Sequence, residues 1–368
     1  MKIILFANTD WYLYNYRLPL ARALREEGHE VLLISPPGRY SQRLLQEGLR
    51  WQAVPLSRRG VNPLAEAAAI LRLLRLYRRE QPDLVHHFTI KPVLWGSLAA
   101  RLAGVKRVVN AVTGLGYVFT ARGAFTLIAR PLVRWLYRLC LRGSRVIFQN
   151  QHDLDYFGRE GLVRPGQAVL IRGSGVDIRR FQPAPLPAGL PVVVLPARML
   201  WDKGVAEFVE AARIINADGV IARFALVGLP DEGNPSTIPP ARIEQWVISG
   251  LVEHWGWRDD MAAVYHTASL VCLPSYGEGL AKSLIEAAAC GRALVASDIP
   301  GCREVVRQGV NGLLVPPRDA RALADALRAL LADSTRLEEM GRASRKIAVR
   351  DFSVEMINRD TIKEYNKA

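Results

Sequence analysis

Two glutamates eight residues apart, Glu278 and Glu286, stand in the stretch YGEGLAKSLIEAAACG, residues 276–291. The apolar run before it predicts a strand, YGEG predicts a turn, and AKSLIEAAACG predicts a helix that ends at Gly291. At ~1.5 Å per residue, the two carboxylates are staggered by roughly 12 Å, too far for an acid and a base on one bond. The helix start between them offers N–H groups and partial positive charge to a phosphate. The spacing fits a sugar nucleotide, whose hydroxyls flank a diphosphate, but it also fits two surface glutamates beside a helix cap.

A second strand-to-helix turn carries two cations. In PARMLWDKGVAEF, residues 196–208, Arg198 and Lys203 follow an apolar run, and Gly204 precedes a predicted helix. Arginine binds phosphate oxygens in bidentate fashion and lysine acts as a point charge, so the pair could neutralise a departing diphosphate. An exposed basic loop would give the same pattern.

Both turns belong to alternating strands and helices. The predicted strands are KIILFAN, EVLLISP, LVHHFT, RVVNAV and RVIFQN in the first half, and PVVVLPA, RFALVG, SLVCLPS, ALVAS and GLLVPP in the second. Continuous apolar strands separated by helices indicate parallel sheets covered on both faces. The proline-rich segment 179–191 reads as a linker. The predicted fold class is α/β, with two doubly wound, Rossmann-like domains facing a central cleft and ligands at the carboxyl ends of the strands.

Composition agrees with a two-domain globular protein. The chain has 368 residues, of which 50% are hydrophobic and 23% charged. The four cysteines, Cys140, Cys272, Cys290 and Cys302, lack CxxC spacing and read as reduced packing residues of a cytoplasmic protein. MKIILFANTD reads as a first buried strand and not as a signal peptide. Because no segment offers about 20 uncharged apolar residues, we expect no spanning helix.

The positive charge is concentrated in one half of the chain. Residues 1–175 carry 26 Lys+Arg against 11 Asp+Glu, a net +15, whereas residues 176–368 carry 23 against 24, a net −1. This asymmetry indicates that the first half meets a polyanion: nucleic acid, a phospholipid surface or a phosphorylated substrate.

Several motifs together resemble one family. ARMLWDKG, PSYGEGLAKSLIEAAACGRALVASDIPGCREVV and NGLLVPP are similar to the nucleotide-binding half of glycosyltransferase family 4, and RGSGVDIRRFQP resembles its interdomain signature. NTDWYLYNYRLPLA, QPDLVHHFTIKP and AVTGLGYVF resemble a bacterial branch that builds capsule, O-antigen and lipid-linked glycans. The resemblance implies the GT-B fold. We expect an acceptor-binding, membrane-associating domain at 1–176, a donor-binding domain at 177–352, and a last helix at 353–368 that packs back on the first domain.

The resemblance also implies roles in the second domain. Arg198 and Lys203 would hold the donor diphosphate, Glu286 the ribose, and Glu278 the donor hexose or its diphosphate neighbourhood. Arg198, Lys203 and Glu278 are thus the catalytic candidates. Further donor contacts are expected from the backbone of Gly279, Leu280 and Ala281, and from Trp257 and Arg258 in WGWRDD, which would frame the nucleobase.

The implied chemistry is retaining transfer of a hexose or N-acetylhexosamine from a UDP-sugar, with no metal and no other cofactor. No protein nucleophile and no Asp-x-Asp pair suited to a divalent ion are evident in the sequence. The acceptor hydroxyl would attack on the face that the nucleotide leaves, and the departing phosphate oxygen would take its proton. Stabilisation of the leaving diphosphate would then be the main catalytic contribution.

Most candidate acceptor contacts lie at or just after the predicted carboxyl ends of first-domain strands: Asn8, Thr9, Asp10, His87, Lys91, Thr113 and Gly114. Arg17 opens the next helical stretch and could meet an acceptor diphosphate. Strand alternation sends His86 and His87 to opposite faces, so at most one of them faces a ligand readily, and a structural role is the competing interpretation. Thr113 stands where many family members have a histidine.

Two basic amphipathic stretches, residues 69–80 and 123–145, predict contact with anionic lipid. The candidate membrane residues are Arg130, Arg134, Trp135, Arg138 and Arg142. We expect a peripheral enzyme on the cytoplasmic face of the inner membrane, with a polyprenyl-diphosphate-linked glycan as acceptor. The competing interpretation is that these helices only pack on their own sheet.

Two other functions stay open at this point. A UDP-sugar 2-epimerase of the same fold would need added acid and base groups in the cleft. A basic nucleic-acid-binding protein is suggested by the isoelectric point near 10.0, but no zinc-finger spacing and no RNP-like run accompany it, so we expect no nucleic-acid partner.

Overall fold

The protein was examined as a computed structural model that describes residues 1–57, 62–114 and 124–368, with side chains of the sixth helix described from residue 130 onward. The chain divides into two compact units, residues 1–174 with 355–368, and residues 175–354. The predicted ranges, 1–176 and 177–352, differ from these units by two residues at each crossing.

Each unit is built on a parallel sheet. The first has the order β3-β2-β1-β4-β5-β6-β7 and the second the order β10-β9-β8-β11-β12-β13. The strands are β1 Lys2–Phe6, β2 Glu30–Ser35, β3 Arg50–Ala53, β4 Leu84–Phe88, β5 Arg107–Val112, β6 Arg145–Phe148, β7 Ala168–Leu170, β8 Val192–Pro196, β9 Arg223–Val227, β10 Glu253–Gly256, β11 Leu270–Leu273, β12 Ala293–Ser297 and β13 Gly312–Val315. The predicted fold class, two doubly wound α/β units, is confirmed.

Helices cover both faces of each sheet. They are α1 Asp10–Tyr12, α2 Leu18–Glu26, α3 Ser41–Gln46, α4 Pro63–Glu80, α5 Ser97–Ala103, α6 Ala124–Leu141, α7 Gln151–Arg159, α8 Val205–Ala217, α9 Pro240–Ile248, α10 Met261–Thr267, α11 Lys282–Ala289, α12 Pro300–Arg303, α13 Ala320–Leu331, α14 Ser334–Phe352 and α15 Val354–Tyr365. Two π-helical turns, Leu13–Arg17 and Pro92–Gly96, and a 3-10 turn, Trp201–Lys203, precede helices. The described clusters of buried apolar residues lie between these helices and the sheets.

Three strands escape the sequence prediction: β3, β7 and β10. Each lies at an edge of its sheet, and the side chains of β7 and β10 are all only partly buried. An edge strand needs no continuous apolar run, which is the pattern that reveals the central strands. The prediction from apolar runs therefore found the sheet centres and missed these edges.

The proline-rich segment 179–191 does not link the units, so this prediction is wrong. Phe181 is only 6% exposed, and the buried guanidinium of Arg292 donates to the carbonyls of Ala184 and Pro185. The segment is thus packed within the second unit. In the first unit, α15 contributes Tyr365, which is fully buried, and Glu364, whose carboxylate pairs with Arg145 at 2.5 Å.

Candidate functional site

The strand order of the second unit reverses between β8 and β11, so the loops after these strands diverge and leave a crevice at the carboxyl edge. Gly204 starts α8 with φ +70°, and a Cβ there would stand 2.0 Å from the carbonyl oxygen of Pro274. Gly301 approaches the other side of the β11 loop, where a Cβ would stand 2.4 Å from the carbonyl oxygen of Glu278. Only glycine permits both approaches, and together they position Glu278.

Two of the predicted catalytic residues are in direct contact. Lys203 Nζ lies 2.5 Å from Glu278 Oε1, and the side chains are 18% and 13% exposed. The hydroxyl of Ser275 donates to the same oxygen at 2.7 Å. The pair joins the loop after β8 to the loop after β11, so a cation and a carboxylate are held together at the switch point.

The third predicted catalytic residue, Arg198, is paired elsewhere. Its Nη1 donates to Asp231 Oδ2 at 2.5 Å, and its side chain is 51% exposed. Asp231 follows β9, a strand whose loop the sequence interpretation had not linked to the site. Because Arg198 is open to solvent on one side, its guanidinium keeps donors available for an anion.

Helix α11 begins without a side-chain cap. Its N-cap residue is Ala281, which supplies no side-chain acceptor to the first turn. The predicted phosphate-facing residues Gly279, Leu280 and Ala281 therefore lead into a helix start that the side chain of its own N-cap residue does not satisfy. Such a start is suited to a phosphate.

Glu286 lies one turn and a half into α11. The hydroxyl of Tyr265 donates to its Oε2 at 3.2 Å, and Lys282 Nζ is 4.0 Å from its Oε1. Burial raises the pKa of Glu286 above its ordinary value, and the charge of Lys282 only partly opposes this. The site thus holds a shielded carboxylate able to accept hydrogen bonds from hydroxyls.

The predicted nucleobase residues, Trp257 and Arg258, are exposed in the loop after β10. Trp257 is 41% exposed, and its Nε1 donates to Asp259 at 3.1 Å. Arg180 donates to the carbonyl of Asp259 at 3.1 Å, and the charge of Arg180 also reaches Glu286. This connection puts the loop on the same side of the sheet as Glu286.

Tyr276 braces the loop that carries Glu278, a role that the sequence interpretation missed. Its hydroxyl donates to Glu207 Oε1 at 2.6 Å, and the guanidinium of Arg318 lies 4.5 Å from its ring centroid. Arg318 has φ +64°, uncommon for a residue with a side chain. No spacing rule links Glu207, Tyr276 and Arg318, because they come from different strand-to-helix connections.

The first unit reverses its strand order between β1 and β4. After β1, Asn8 and Thr9 are partly exposed, and Thr9 Oγ1 caps α1 by accepting from Tyr12 N at 3.1 Å. Asp10 is only 5% exposed and accepts from Tyr40 N and Ser41 Oγ at 2.8 and 3.0 Å. Asp10 therefore anchors the loop after β2, and its assignment as an acceptor contact stays a prediction.

Arg17 is also buried, at 4% exposure. It closes the π-helical turn after α1, donates to the hydroxyl of Tyr12 at 3.0 Å and lies 4.3 Å from the ring centroid of Phe88. The guanidinium of Arg17 thus packs against aromatic rings in this unit, and its contact with an acceptor diphosphate stays a prediction.

The two histidines of β4 face opposite sides of the sheet, as alternation predicts, but both are buried. His86 Nδ1 meets the hydroxyl of Tyr365 at 2.8 Å. His87 Nδ1 donates to Asn110 Oδ1 at 2.9 Å, and its Nε2 meets the hydroxyl of Tyr77 at 3.1 Å. Burial lowers the pKa of His87 to about 4. Both ring nitrogens of His87 thus have partners within the unit, which favours the structural interpretation, and its assignment as an acceptor contact stays a prediction.

The remaining acceptor candidates differ in placement. Lys91 Nζ lies 2.5 Å from Glu66 Oε1, with the lysine side chain 18% exposed. Thr113 and Gly114 follow β5 and are partly exposed. The rest of their motif, residues 115–119, lies outside the described residues.

Helix α6 carries exposed apolar side chains. Leu132 and Trp135 are 59% and 56% exposed, and Leu139 is 37% exposed. Arg134 pairs with Glu160, and Arg138 donates to the carbonyls of Glu160 and Gly161 at 3.0 and 3.1 Å.

The candidate membrane arginines are only partly available to a lipid. Arg134 and Arg138 bind the end of α7, Arg138 and Arg142 are exposed, and Arg130 is partly exposed with a partner of its own. From residue 130 onward, Leu132, Trp135 and Leu139 form an outward apolar stripe beside the exposed Arg138 and Arg142, and the membrane role of these residues stays a prediction.

Within residues 1–57, 62–114 and 124–368, no helix is long and apolar enough to cross a bilayer. Over the same part of the chain, no group of three or more His, Cys, Asp or Glu side chains could hold a metal ion.

Comparison with known proteins gives matches in both units. Residues 190–333 match the family model "Glycosyl transferases group 1", and residues 2–151 match "Glycosyl transferase 4-like". Over 90% of both chains, the sequence is 30% identical to N,N'-diacetylbacillosaminyl-diphospho-undecaprenol alpha-1,3-N-acetylgalactosaminyltransferase of Campylobacter jejuni. It is 26% identical to UDP-Gal:alpha-D-GlcNAc-diphosphoundecaprenol alpha-1,3-galactosyltransferase of Escherichia coli, over 84% of this chain and 82% of that one. The solved structure of Anabaena HepE in complex with UDP-glucose matches all of both chains with a TM-score of 0.81 at 20% identity, a likeness of fold.

Proposed function

Because the chain belongs to the family-4-like glycosyltransferases with the GT-B fold, we propose that it moves a hexose or N-acetylhexosamine from a UDP-sugar to a polyprenyl-diphosphate-linked acceptor. The pathway would be the assembly of a bacterial surface polysaccharide or glycan, such as O-antigen or capsule. The names of the relatives from C. jejuni and E. coli both specify a diphospho-undecaprenol acceptor, which supports this acceptor class.

The observation that carries the donor assignment is the arrangement around Lys203 and Glu278. A paired cation and carboxylate stand at the switch point, beside the uncapped start of α11, and Glu286 follows within the same helix. Phosphates fit the helix start and the cations, and hydroxyl groups fit the carboxylates. A nucleoside diphosphate linked to a sugar has this order of groups.

In the proposed mechanism, the acceptor hydroxyl attacks the anomeric carbon while the bond to the diphosphate breaks, and a phosphate oxygen takes the proton. Lys203, Arg198 and the start of α11 stabilise the charge that develops on the leaving group. The relatives from C. jejuni and E. coli make alpha linkages by name, and galactose-type UDP-sugars are alpha-linked, so transfer that retains configuration is proposed here.

We place no metal and no further cofactor in this reaction. Lys203, Arg198 and the helix start already supply positive charge where a divalent ion would otherwise act. Activity should therefore persist in excess EDTA, and a requirement for added Mg²⁺ or Mn²⁺ would contradict this part of the proposal.

The first unit would receive the acceptor at the membrane. Two features support peripheral binding of this unit to the anionic cytoplasmic leaflet of the inner membrane. They are its net positive charge and the outward apolar stripe of Leu132, Trp135 and Leu139. Flotation with phosphatidylglycerol vesicles tests this. Changing Leu132 and Trp135 to Ser should release the protein, whereas Ile221→Ser, at a 71% exposed site of the second unit, should not.

The enzyme assay uses a panel of UDP-sugars with synthetic prenyl-diphosphate-linked sugars, and it measures UDP release and the glycolipid product. UDP release that depends on the acceptor is expected. If a UDP-sugar were converted to another nucleotide sugar without acceptor, the 2-epimerase alternative would replace this proposal. Nucleic-acid binding, tested by gel shift, is expected to be weak and nonspecific. The relatives favour neither alternative.

A further inference from the structure

A cavity of about 500 Å³ opens in the first unit and is lined by residues of that unit. Its walls come from three connections. Pro36 and Pro37 follow β2, Pro55 and Leu56 follow β3, and Glu66 and Arg72 lie on α4. The volume lies within the range of pockets that bind small organic molecules. Like other ligand sites in open parallel sheets, the cavity lies beyond the carboxyl ends of the strands.

Glu66 gives this cavity its chemistry. It stands in the first turn of α4 and is only 8% exposed. Its Oε1 is paired with Lys91 at 2.5 Å. Its Oε2 is buried, and within residues 1–57, 62–114 and 124–368 nothing donates a hydrogen bond to it. A buried carboxylate oxygen without a donor is costly, so this oxygen is expected to have a donor in the working protein.

The residues around Glu66 indicate which kind of ligand could donate a hydrogen bond to its Oε2. Lys91 already balances the charge of Glu66, so a second cation is not required. The proline rings and Leu56 offer apolar walls, which suit the C–H faces of a pyranose ring. Arg72 at the lining adds a positive charge that suits a phosphate attached to the ring.

We infer that this cavity binds a sugar ring of the lipid-linked acceptor, and that Glu66 Oε2 accepts a hydrogen bond from one of its non-reacting hydroxyls. The inference rests on the proposed glycosyltransferase function and specifies where the acceptor sugar is recognised. Glu66 acts as a binding and specificity residue and takes no part in bond making. The ion pair with Lys91 holds its carboxylate in position.

The test uses the full-length enzyme and a series of acceptors that each lack one non-reacting hydroxyl. With the wild type, one deoxy acceptor should show a KM about 10-fold or more above that of the parent, as expected for the loss of a hydrogen bond to a charged group. With Glu66→Gln or Glu66→Ala, the KM for the parent acceptor should rise by a similar factor, and that deoxy acceptor should suffer no further penalty. The kcat and the KM for the UDP-sugar should stay within about twofold.

Two further variants separate a specific loss of acceptor binding from an effect of misfolding. Ala68→Leu narrows the cavity from the partly buried face of α4 without removing the Glu66–Lys91 pair, and it should raise the acceptor KM as well. Glu26→Gln, at an exposed site of the same unit, should behave like the wild type.

The outcomes separate this inference from the proposed function. Transfer to the parent acceptor combined with unchanged acceptor KM values in the Glu66 and Ala68 variants would overturn the inference and leave the function standing. Equal penalties for every deoxy acceptor in wild type and Glu66→Ala would also overturn it, since water alone would then fill the cavity. Absence of transfer by the wild type to any lipid-linked acceptor would refute the function itself.

Discussion

Replacement of Lys203 by methionine should separate its observed role as partner of Glu278 from its proposed role as the cation that stabilises the leaving diphosphate. The side chains of the pair are 18% and 13% exposed, and Ser275 also donates to Glu278. Removing one partner of a fully buried pair costs about 3–5 kcal/mol. Because Glu278 keeps some solvent and the bond from Ser275, we expect Lys203→Met to lower the free energy of unfolding by about 1–3 kcal/mol. We expect kcat to fall about 100- to 1,000-fold.

A double-variant comparison distinguishes the two roles. In Lys203→Met/Glu278→Gln the unpaired charge is gone, so the free energy of unfolding, measured in urea, should recover to within about 1 kcal/mol. Turnover of the UDP-sugar should nevertheless stay about 100-fold or more below that of Glu278→Gln alone. Lys346→Met, at an exposed site of α14, should change neither quantity. If the double variant turned over as fast as Glu278→Gln, Lys203 would matter only as the partner of Glu278, and the assigned catalytic role would fail.

Three other predictions concern residues on or next to the two sheets. Glu286→Gln should weaken UDP binding about 10-fold in calorimetry. Because burial raises the folded-state pKa of this carboxyl, the wild type loses stability as pH rises through that pKa. The variant should therefore have a higher melting temperature than the wild type at pH 8 but not at pH 4, and an equal increase at both pH values would contradict the reasoning. Gly301→Ala puts a Cβ 2.4 Å from the carbonyl oxygen of Glu278, and the resulting displacement of Glu278 by about 1 Å should lower kcat about 100-fold. Gly277→Ala, in the loop that carries Glu278, places a Cβ in open space and should leave kcat nearly unchanged. Equal losses in both variants would disprove the close-approach argument. The ring of His87 should stay neutral in an NMR titration down to about pH 4. The protein should lose stability as the pH falls from 6.5, the ordinary pKa of histidine, towards 4, by about 1.4 kcal/mol per pH unit. Protonation near pH 6.5 would show that His87 is not enclosed.

The sheet centres were predictable because their strands are buried on both faces and therefore read as unbroken apolar runs. The edge strands β3, β7 and β10 were not, since solvent on one side relaxes that requirement. The same physics explains the histidines of β4. Alternation correctly sends them to opposite faces, but helices cover both faces, so neither ring opens to solvent.

The candidate site was predictable in its chain positions and not in its pairings. Lys203 and Glu278 were found because polar residues just after parallel strands meet at one edge of the sheet. Their contacts with Ser275, and that of Arg198 with Asp231, depend on how loops from different strands converge, and no local pattern encodes this. Asp10 shows the same limit, because a strand-end position suggested a ligand contact but gave no sign that the carboxylate accepts from the neighbouring loop.

The pairing of both candidate catalytic cations has a consequence for donor selection. Lys203 and Arg198 each contact a carboxylate at 2.5 Å, but Arg198 keeps further donors open to an anion. An anion that contacts only Lys203 gains little, because it must replace Glu278 as the partner of that lysine. A UDP-sugar can offset that loss, since its hydroxyls give the displaced carboxylates, and Glu286, new donors to accept from. Inorganic pyrophosphate lacks such hydroxyls and should compete poorly with the donor for this site. Discrimination against pyrophosphate then arises from the Lys203–Glu278 pair, since a competitor that cannot donate to Glu278 would leave this carboxylate without a partner.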